Sequence, residues 1–307
     1  MVTIKDIAKA SGVAPSTVSY ALNNDARIPE ETRRKVLDAA RQLGYRGRSG
    51  KKVEGAAKRH VILCLNSISG VIYSELAVAF KEVLKPSNCE LLIYMGSDVN
   101  DIKCIDGAII LNSRIPNDSI RELVRRKIPV VVMDRNENID GIVSITLDNE
   151  GGCYAVTKCA LESGAKSFCF VSGPVTSFES KQRFGGFKKA LAEYGISDYV
   201  QLPGDFTFES GQRAATYMLN QPLADAIVCA NDEMAAGVAA GIEKAGLPQP
   251  ILCGFDGIES NLKHKFFTAK ASRADWGHNA AYTMLNLLDG TAVPANNTIP
   301  ARLVRYD

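Results

Sequence analysis

Apolar and polar residues alternate along this chain in two distinct regimes. From Thr3 to Leu43 the apolar residues recur at helical spacing. Ile4, Ile7 and Ala8 lie at i, i+3 and i+4; Val18, Ala21 and Leu22 repeat that stripe; Val36, Leu37, Ala40 and Leu43 form a third. Thr3 stands where the first helix needs a cap, and Asp6 stands where a capping box wants an acid. Ser11-Gly12-Val13 breaks that helix with a residue that tolerates positive φ, and Pro15 suits the first position of a second helix. The third helix is expected from about Glu30 to Leu43, ended by Gly44. On the second helix Ser16, Thr17, Ser19, Tyr20 and Asn23 remain for solvent or a partner. Two short helices joined by a glycine turn, the second with a polar outer face, follow the plan of a helix-turn-helix. A generic helical hairpin in a small core shares that geometry.

From His60 the pattern changes to short apolar runs separated by amphipathic stretches. Strands are expected at 60–65, 90–95, 107–111, 129–133, 143–147, 167–171, 225–229 and 251–254. Helices are expected near 73–85, 118–126, 150–163, 182–194, 209–219, 231–245 and 275–288. Strands alternating with helices predict an α/β fold with parallel sheets covered on both faces. In such sheets the loops beyond the carboxyl ends of the strands form the ligand crevice. Polar residues just after strands are therefore informative: Asn66-Ser67, Asp134-Arg135, Ser172-Gly173-Pro174, Asn231-Asp232 and Asp256.

Charge separates the two regimes further. Residues 1–60 hold 13 Lys+Arg against 6 Asp+Glu, a net of +7, while residues 61–307 hold 23 against 28, a net of −5. A basic end on an acidic body is the footprint of a phosphate-binding module tethered to something else. Residues 46–59 carry three glycines and six cations, a composition that builds no core and suits a linker lying along phosphates.

The 307 residues suffice for about two domains plus a small one. No run of 18 apolar residues occurs, so no membrane span is expected, and the polar amino terminus reads directly into a helix rather than a secretion signal. The eight cysteines lie mostly in apolar runs and form no C-x-x-C pair, which fits reduced, buried thiols of a cytoplasmic protein. No phosphate-loop, zinc-protease or nucleophile-elbow motif is present, and His60, His264 and His278 are scattered. Neither an enzyme nor a cofactor or metal is expected.

The motifs Thr3-Ile-Lys-Asp-Ile-Ala8, Gly12-Val-Ala-Pro-Ser-Thr-Val-Ser19, Leu22-Asn23, Glu30-Glu-Thr-Arg33 and Leu43-Gly-Tyr45 closely resemble the lac-repressor (LacI/GalR) family. Leu147-Asp-Asn-Glu-Gly-Gly152, Ser172-Gly-Pro174, Arg183-Phe-Gly-Gly-Phe187, Ala230-Asn-Asp232 and Gly254-Phe-Asp256 extend the resemblance over essentially the whole chain. The resemblance implies a transcriptional repressor with a helix-turn-helix domain over 1–46, a basic hinge over 47–59 and an effector-binding, dimerising domain over 60–307. That last domain would be built like a periplasmic binding protein: one lobe of about 60–148 with 272–295, another of about 149–271, and the last strands returning near 296–307. A homodimer reading a near-palindromic double-stranded operator is the geometric expectation. A corepressor-dependent regulator of the purine type and a sugar-binding transport receptor are the alternatives.

The resemblance also assigns residues. Base-contacting positions fall on Pro15, Ser16 and Tyr20: the hydroxyls of Ser16 and Tyr20 suit base edges and Pro15 offers only apolar contact; Thr17, Ser19 and Asn23 suit phosphates. Effector positions fall on Tyr73, Asp134, Arg183, Phe206, Asn231 and Asp256, a set suited to a sugar: acids accept hydroxyl protons, Arg and Asn donate, and the rings cover C–H faces. Arg183 with nearby Lys181 leaves a phosphorylated or acidic sugar open. The strand-end acids have a blander use, serving turns or pairing with Arg183. Three features depart from the family. Ala14 replaces the usual serine cap. No leucine stands between Tyr45 and Leu63 to wedge into a minor groove, so Arg46 and Arg48 are assigned to reading groove width electrostatically. Residues 94–104 are too short for the helix expected there, leaving an exposed sheet face or an altered dimer surface.

Overall fold

The computed structural model describes residues 3–22, 28–43, 58–65, 68, 71–99, 101–111, 115–135, 139–258 and 265–306; for Ser16, Ser19, Tyr20, Glu30, Arg41, Gln42, Val71 and Ile72 only the backbone is described. Asn23, Arg46, Arg48 and the hinge over 47–57 lie outside the described residues. The chain divides into two units, one of Met1–Arg59 with Ser87–Cys89 and one of the remainder.

In the first unit α1 (Ile4–Ser11), α2 (Pro15–Leu22) and α3 (Glu30–Gln42) surround a small core of Ile7, Ala8, Val18, Ala21, Val36, Ala39 and Ala40. The capping box forms: Thr3 N–H donates to Asp6 Oδ2 at 2.7 Å and Asp6 N–H donates to Thr3 Oγ1 at 3.4 Å. Gly12 then turns the chain at φ +70°, where a side chain is disfavoured. The third stripe needs correction. Leu37 and Leu43 are 36% and 38% exposed, and Ala39 takes a core position. At 100° per residue, Leu37 lies well round the helix from the face shared by Val36, Ala39 and Ala40, and Leu43 follows the last helical residue.

The second unit holds β1 (Arg59–Cys64, beginning at the unit boundary), α4 (Val71–Leu84), β2 (Cys89–Tyr94), β3 (Gly107–Ile110), α5 (Asn117–Arg125), β4 (Val130–Met133) and β5 (Ile142–Leu147). There follow α6 (Asn149–Glu162), β6 (Phe168–Val171), α7 (Phe178–Glu193), β7 (Val200–Leu202), α8 (Phe208–Met218), β8 (Ala226–Cys229) and α9 (Asp232–Lys244). Last come β9 (Ile251–Phe255), β10 (Phe266–Ala271), α10 (Arg273–Leu288), β11 (Asn296–Ile299) and β12 (Ala301–Tyr306). They build two six-stranded sheets, ordered β11-β5-β4-β3-β1-β2 and β12-β10-β9-β8-β6-β7. The β10–β12 pair is antiparallel, whereas β3–β4–β5–β11 and β6–β8–β9 pair in parallel. Runs such as Val130–Met133 and Ala226–Cys229 are wholly buried, as strands covered by helices on both faces must be.

The chain passes between the sheets three times, at Asp148, Ser272 and Pro300. The last strands therefore do not return together. Asn296 pairs with Ser144 in the first sheet, whereas Ala301 pairs with Ala271 in the second. Each lobe buries its own apolar layer. Ile62, Ile110, Val130 and Leu123 belong to the first; Phe168, Phe170, Phe187 and Val228 belong to the second. Helices α6 and α7 approach closely at Gly186, where a Cβ would stand 2.1 Å from the Glu150 carbonyl oxygen.

No helix occupies the described residues between β2 and β3, as the short segment implies. Leu92 and Ile93, neighbours on the edge strand β2, are 40% and 52% exposed. Successive strand residues face opposite sides, so neither side of β2 is covered at this point. No described helix is long and apolar enough to cross a membrane. All eight cysteines are free thiols and seven are buried.

Candidate effector cleft

The strand order brings the polar strand ends of both lobes to one crevice. Asp134 follows β4 in the first lobe, and Tyr73 lies in the first turns of α4. The second lobe supplies Arg183 from α7, Phe206 just before α8, Asn231 between β8 and α9, and Asp256 immediately after β9. Asp134, Phe206 and Asp256 adopt φ of +57°, +69° and +119°. Side chains rarely accept such conformations, and strain of this kind collects where a loop must present a group at a fixed place.

Arg183 is the hub and is 5% exposed. Its Nε donates to Asn149 Oδ1 at 2.9 Å and its Nη1 to the Ala230 carbonyl at 2.7 Å; Nη2 lies 3.9 Å from Asp256 Oδ1. The guanidinium stacks 3.8 Å from the Phe255 ring centroid and 5.9 Å from that of Phe206. Two of its five N–H donors are thus spent on the protein. Lys181 is exposed.

Asn231 is used differently from the expectation. Its Oδ1 accepts from Met234 N–H at 3.0 Å as the cap of α9, and its Nδ2 donates to the Phe206 carbonyl at 2.9 Å. Its amide anchors the loop that carries the Phe206 ring.

Besides Asp232, which strand-end reasoning reached, three further residues join the site. Glu179, in the first turn of α7, lies beside Asp134 across the lobes. Arg273, the first residue of α10, lies 3.7 Å from Glu75 Oε2 and 4.0 Å from Asp256 Oδ1, again across the lobes. Asp232 is 2% exposed; its Oδ1 accepts from the Thr268 hydroxyl at 2.7 Å and its Oδ2 from Ile258 N–H at 2.7 Å. Asn149 supports Arg183. The available signal for Glu179 was only an acid in a first helical turn, which is equally what a helix dipole favours.

The electrostatics follow from burial. Desolvation raises the Asp134 carboxyl well above its ordinary value, and the Glu179 charge raises it further. Burial also presses Glu179 upward, but hydrogen bonds from Asp134, Ser177 and its own backbone N–H hold it below its ordinary value. Burial raises Asp256 against the opposing pull of Arg183 and Arg273. Asp232 is raised to about 7 by burial and by Asp256. Burial and then the Glu179 and Asp134 carboxylates raise the Tyr73 phenol, which puts Tyr73 beside that pair. A cavity of about 430 Å³ adjoins the crossing segments, lined by Thr146, Asp148, Asn149, Phe178, Gln182 and Thr298 among others.

On α2, Pro15 is exposed and Thr17 half-buried. The side chains of Ser16, Ser19 and Tyr20 lie outside the description.

Residues 3–47 match the family described as bacterial regulatory proteins, lacI family, and residues 108–292 match the periplasmic binding protein domain. The chain is 32% identical to the probable HTH-type transcriptional repressor ExuR of Bacillus subtilis, over 84% of this chain and 82% of that protein. It is 29% identical to catabolite control protein A of Priestia megaterium, over 83% and 82%. The solved structure of a sugar-binding transcriptional regulator (LacI family) from Enterococcus faecalis aligns with a TM-score of 0.71 at 27% identity, covering 82% of this chain and 97% of that one. A helix-turn-helix head, two parallel-sheet lobes and this sequence identity together mean that the chain belongs to the lacI family of bacterial regulatory proteins, the DNA-binding transcriptional repressors.

Proposed function

We propose that the cleft between the lobes receives a small sugar-like effector that alters operator affinity. The carrying observation is that both lobes contribute charged or aromatic groups to one half-buried cluster around the buried Arg183: Tyr73, Asp134 and Arg273 from one, Glu179, Arg183, Phe206 and Asp256 from the other. A ligand held by both lobes favours one angle between them, and it can shift DNA binding only by its differential affinity for the two arrangements. Residues 1–46 form the reading head, 47–59 the hinge and 60–307 the effector and dimerisation domain. In the head, Pro15, Ser16 and Tyr20 read bases; Thr17, Ser19 and Asn23 hold phosphates; Arg46 and Arg48 lie along the groove. Tyr73, Asp134, Arg183, Phe206 and Asp256 contact the effector, with Asn231 behind them.

The protein acts as a homodimer on a near-palindromic operator in the cytoplasm and catalyses no reaction. The uncovered edge strand β2, with Leu92, Ile93 and Met95 exposed, supports an interface on the first lobe. Selection of genomic fragments by the purified full chain tests the reading. It should recover a short set of related, two-fold symmetric sequences whose binding weakens steeply with salt. Retention of no duplex even in dilute buffer would refute it.

A further inference from the structure

We propose that the cavity on the flank of the crossing segments is a second small-molecule site, distinct from the cleft around Arg183, and that it takes a neutral polyhydroxylated ligand of monosaccharide size. Two of the three crossings run side by side there: Asp148 N–H donates to the Ile299 carbonyl at 2.9 Å, just before Pro300. The first lobe supplies Thr146 of β5 and Thr298 of the edge strand β11; the second supplies Phe178 and Gln182 of α7 and the first turn of α6. The cavity measures about 430 Å³, inside the range of about 300–1,000 Å³ that small-molecule sites occupy. Tyr73, Asp134, Arg183, Phe206 and Asp256 do not line it, so it is not the crevice described above; Asn149 belongs to both.

The lining is polar and underused. The Thr146 and Thr298 hydroxyls, 152 residues apart in the chain, stand 3.4 Å from each other, longer than a good O–H···O bond, so each keeps capacity to donate and accept. At the start of α6 the Asp148 carboxylate accepts from Gly151 N–H at 2.9 Å, and helix geometry leaves the N–H groups of Asn149 and Glu150 without an intrahelical partner. Independently of that helix end, the Asn149 side chain is 1% exposed; Arg183 Nε holds its Oδ1 at 2.9 Å and its Nδ2 has no hydrogen-bond partner. A buried donor in that condition is rare and calls for an acceptor. Charge then selects the ligand class. Among the described residues the one cation lining the cavity, Lys189, faces Glu150 Oε1 at 3.5 Å, so a phosphate or carboxylate finds no unmatched partner. The positive end of α6 opposes an ammonium group, and Asp148 is committed to capping that helix. Hydroxyl groups suit what is left. Their oxygens accept from Asn149 Nδ2 and the α6 N–H groups, their protons go to Gln182 and the threonines, and the half-buried Phe178 ring covers a C–H face.

The test is calorimetric titration of the full chain with ribose, glucose, galactose and myo-inositol as neutral probes and glucosamine and glucuronate as charged ones. Each is run on the wild type and on four variants. Gln182→Leu and Thr298→Val remove polar groups from the cavity and leave the cleft alone; Thr298→Ser restores the hydroxyl; Phe206→Ala removes the ring from the cleft. At least one neutral probe should bind with a Kd of about 1 mM or below and weaken tenfold or more in Gln182→Leu and Thr298→Val, while Thr298→Ser and Phe206→Ala stay within about twofold of the wild type. Thr298 is exposed on an edge strand, where valine is well tolerated, so its loss reports the hydroxyl rather than the fold. Neutral-probe binding that either cavity variant leaves unchanged, or that Phe206→Ala weakens equally, overturns the second site and leaves the cleft reading standing. A charged probe that outbinds every neutral one and answers to the cavity variants overturns the ligand class. No binding of any probe up to about 10 mM overturns the proposal.

Discussion

Replacing Arg183 with methionine keeps most of the side-chain volume and removes the charge on which the second lobe's crevice is built. The loss strands Asn149 Oδ1, the Ala230 carbonyl and the Asp256 carboxylate together. The two charged side chains are 6% and 15% exposed, so water repairs little of the damage. Breaking such a buried pair costs about 3–5 kcal/mol; with 3.9 Å between Nη2 and Oδ1 rather than a tight fork, the lower figure applies. At about 2–4 °C per kcal/mol for a domain of this size, the melting temperature should fall by roughly 6–12 °C at pH 8. Arg183 also opposes the burial that raises Asp256, so its removal raises Asp256 further. The orphaned acid takes up its proton more readily as pH falls, so the loss should be smaller at pH 5.5 than at pH 8. Adding Asp256→Asn to the variant should recover part of the loss at pH 8. Differential scanning calorimetry of the four proteins closes the cycle. A fall under about 2 °C at pH 8, or an equal fall at both pH values, refutes the claim that Arg183 balances Asp256.

Other outcomes follow from the same geometry. Asp232 titrates near 7 when folded and near 3.8 as an ordinary acid, so its favourable contribution is intact below about pH 4 and lost as pH rises through 7. The loss is at most about 4 kcal/mol, and the melting temperature of the wild type should decline between pH 5 and pH 8; a flat profile counts against the burial of that carboxyl. Gly186→Ala drives a methyl into the Glu150 carbonyl and should destabilise by about 1–3 kcal/mol in denaturant titration. Val36→Ala should cost about 2 kcal/mol and Leu37→Ala less than about 0.5 kcal/mol, the reverse order marking the α3 face as wrongly assigned. Tyr20→Ala should lose discrimination between operator and random DNA while keeping the slope of affinity against salt; equal weakening on both duplexes makes Tyr20 a scaffold residue.

Much of this architecture is legible in the chain itself. The capping box at Thr3 and Asp6, the turn at Gly12 and the alternating strands of both lobes follow from spacing and turn chemistry. Strand β10 does not: Phe266–Ala271 ends in small and charged residues, and its place between β9 and β12 comes from long-range pairing. The separation of β11 from β12 is similarly invisible, because one proline divides two strands that join different sheets. Leu37 misleads because Val36 and Leu37 are adjacent apolar residues, and only packing decides which is inward. In the cleft, the strand-end rule reaches Asp134 and Asp256. It misses Glu179 and Arg273, which arrive from helix starts across the lobe boundary. It also points to Asn231, but not to the structural use of its amide, which caps α9 and holds the Phe206 carbonyl. Hydrogen-bond competition of this kind is settled in three dimensions, not by residue type.

The central claim is that occupancy of the cleft and grip on DNA are one linked equilibrium. Its most direct measurement is a pair of titrations on the full chain: operator affinity by fluorescence anisotropy with and without a cleft ligand, and ligand affinity by calorimetry with and without operator. The account predicts that the two ratios are equal and amount to roughly 5–150-fold. A ligand that saturates the cleft, is lost in Arg183→Met, and leaves operator affinity unchanged would contradict it.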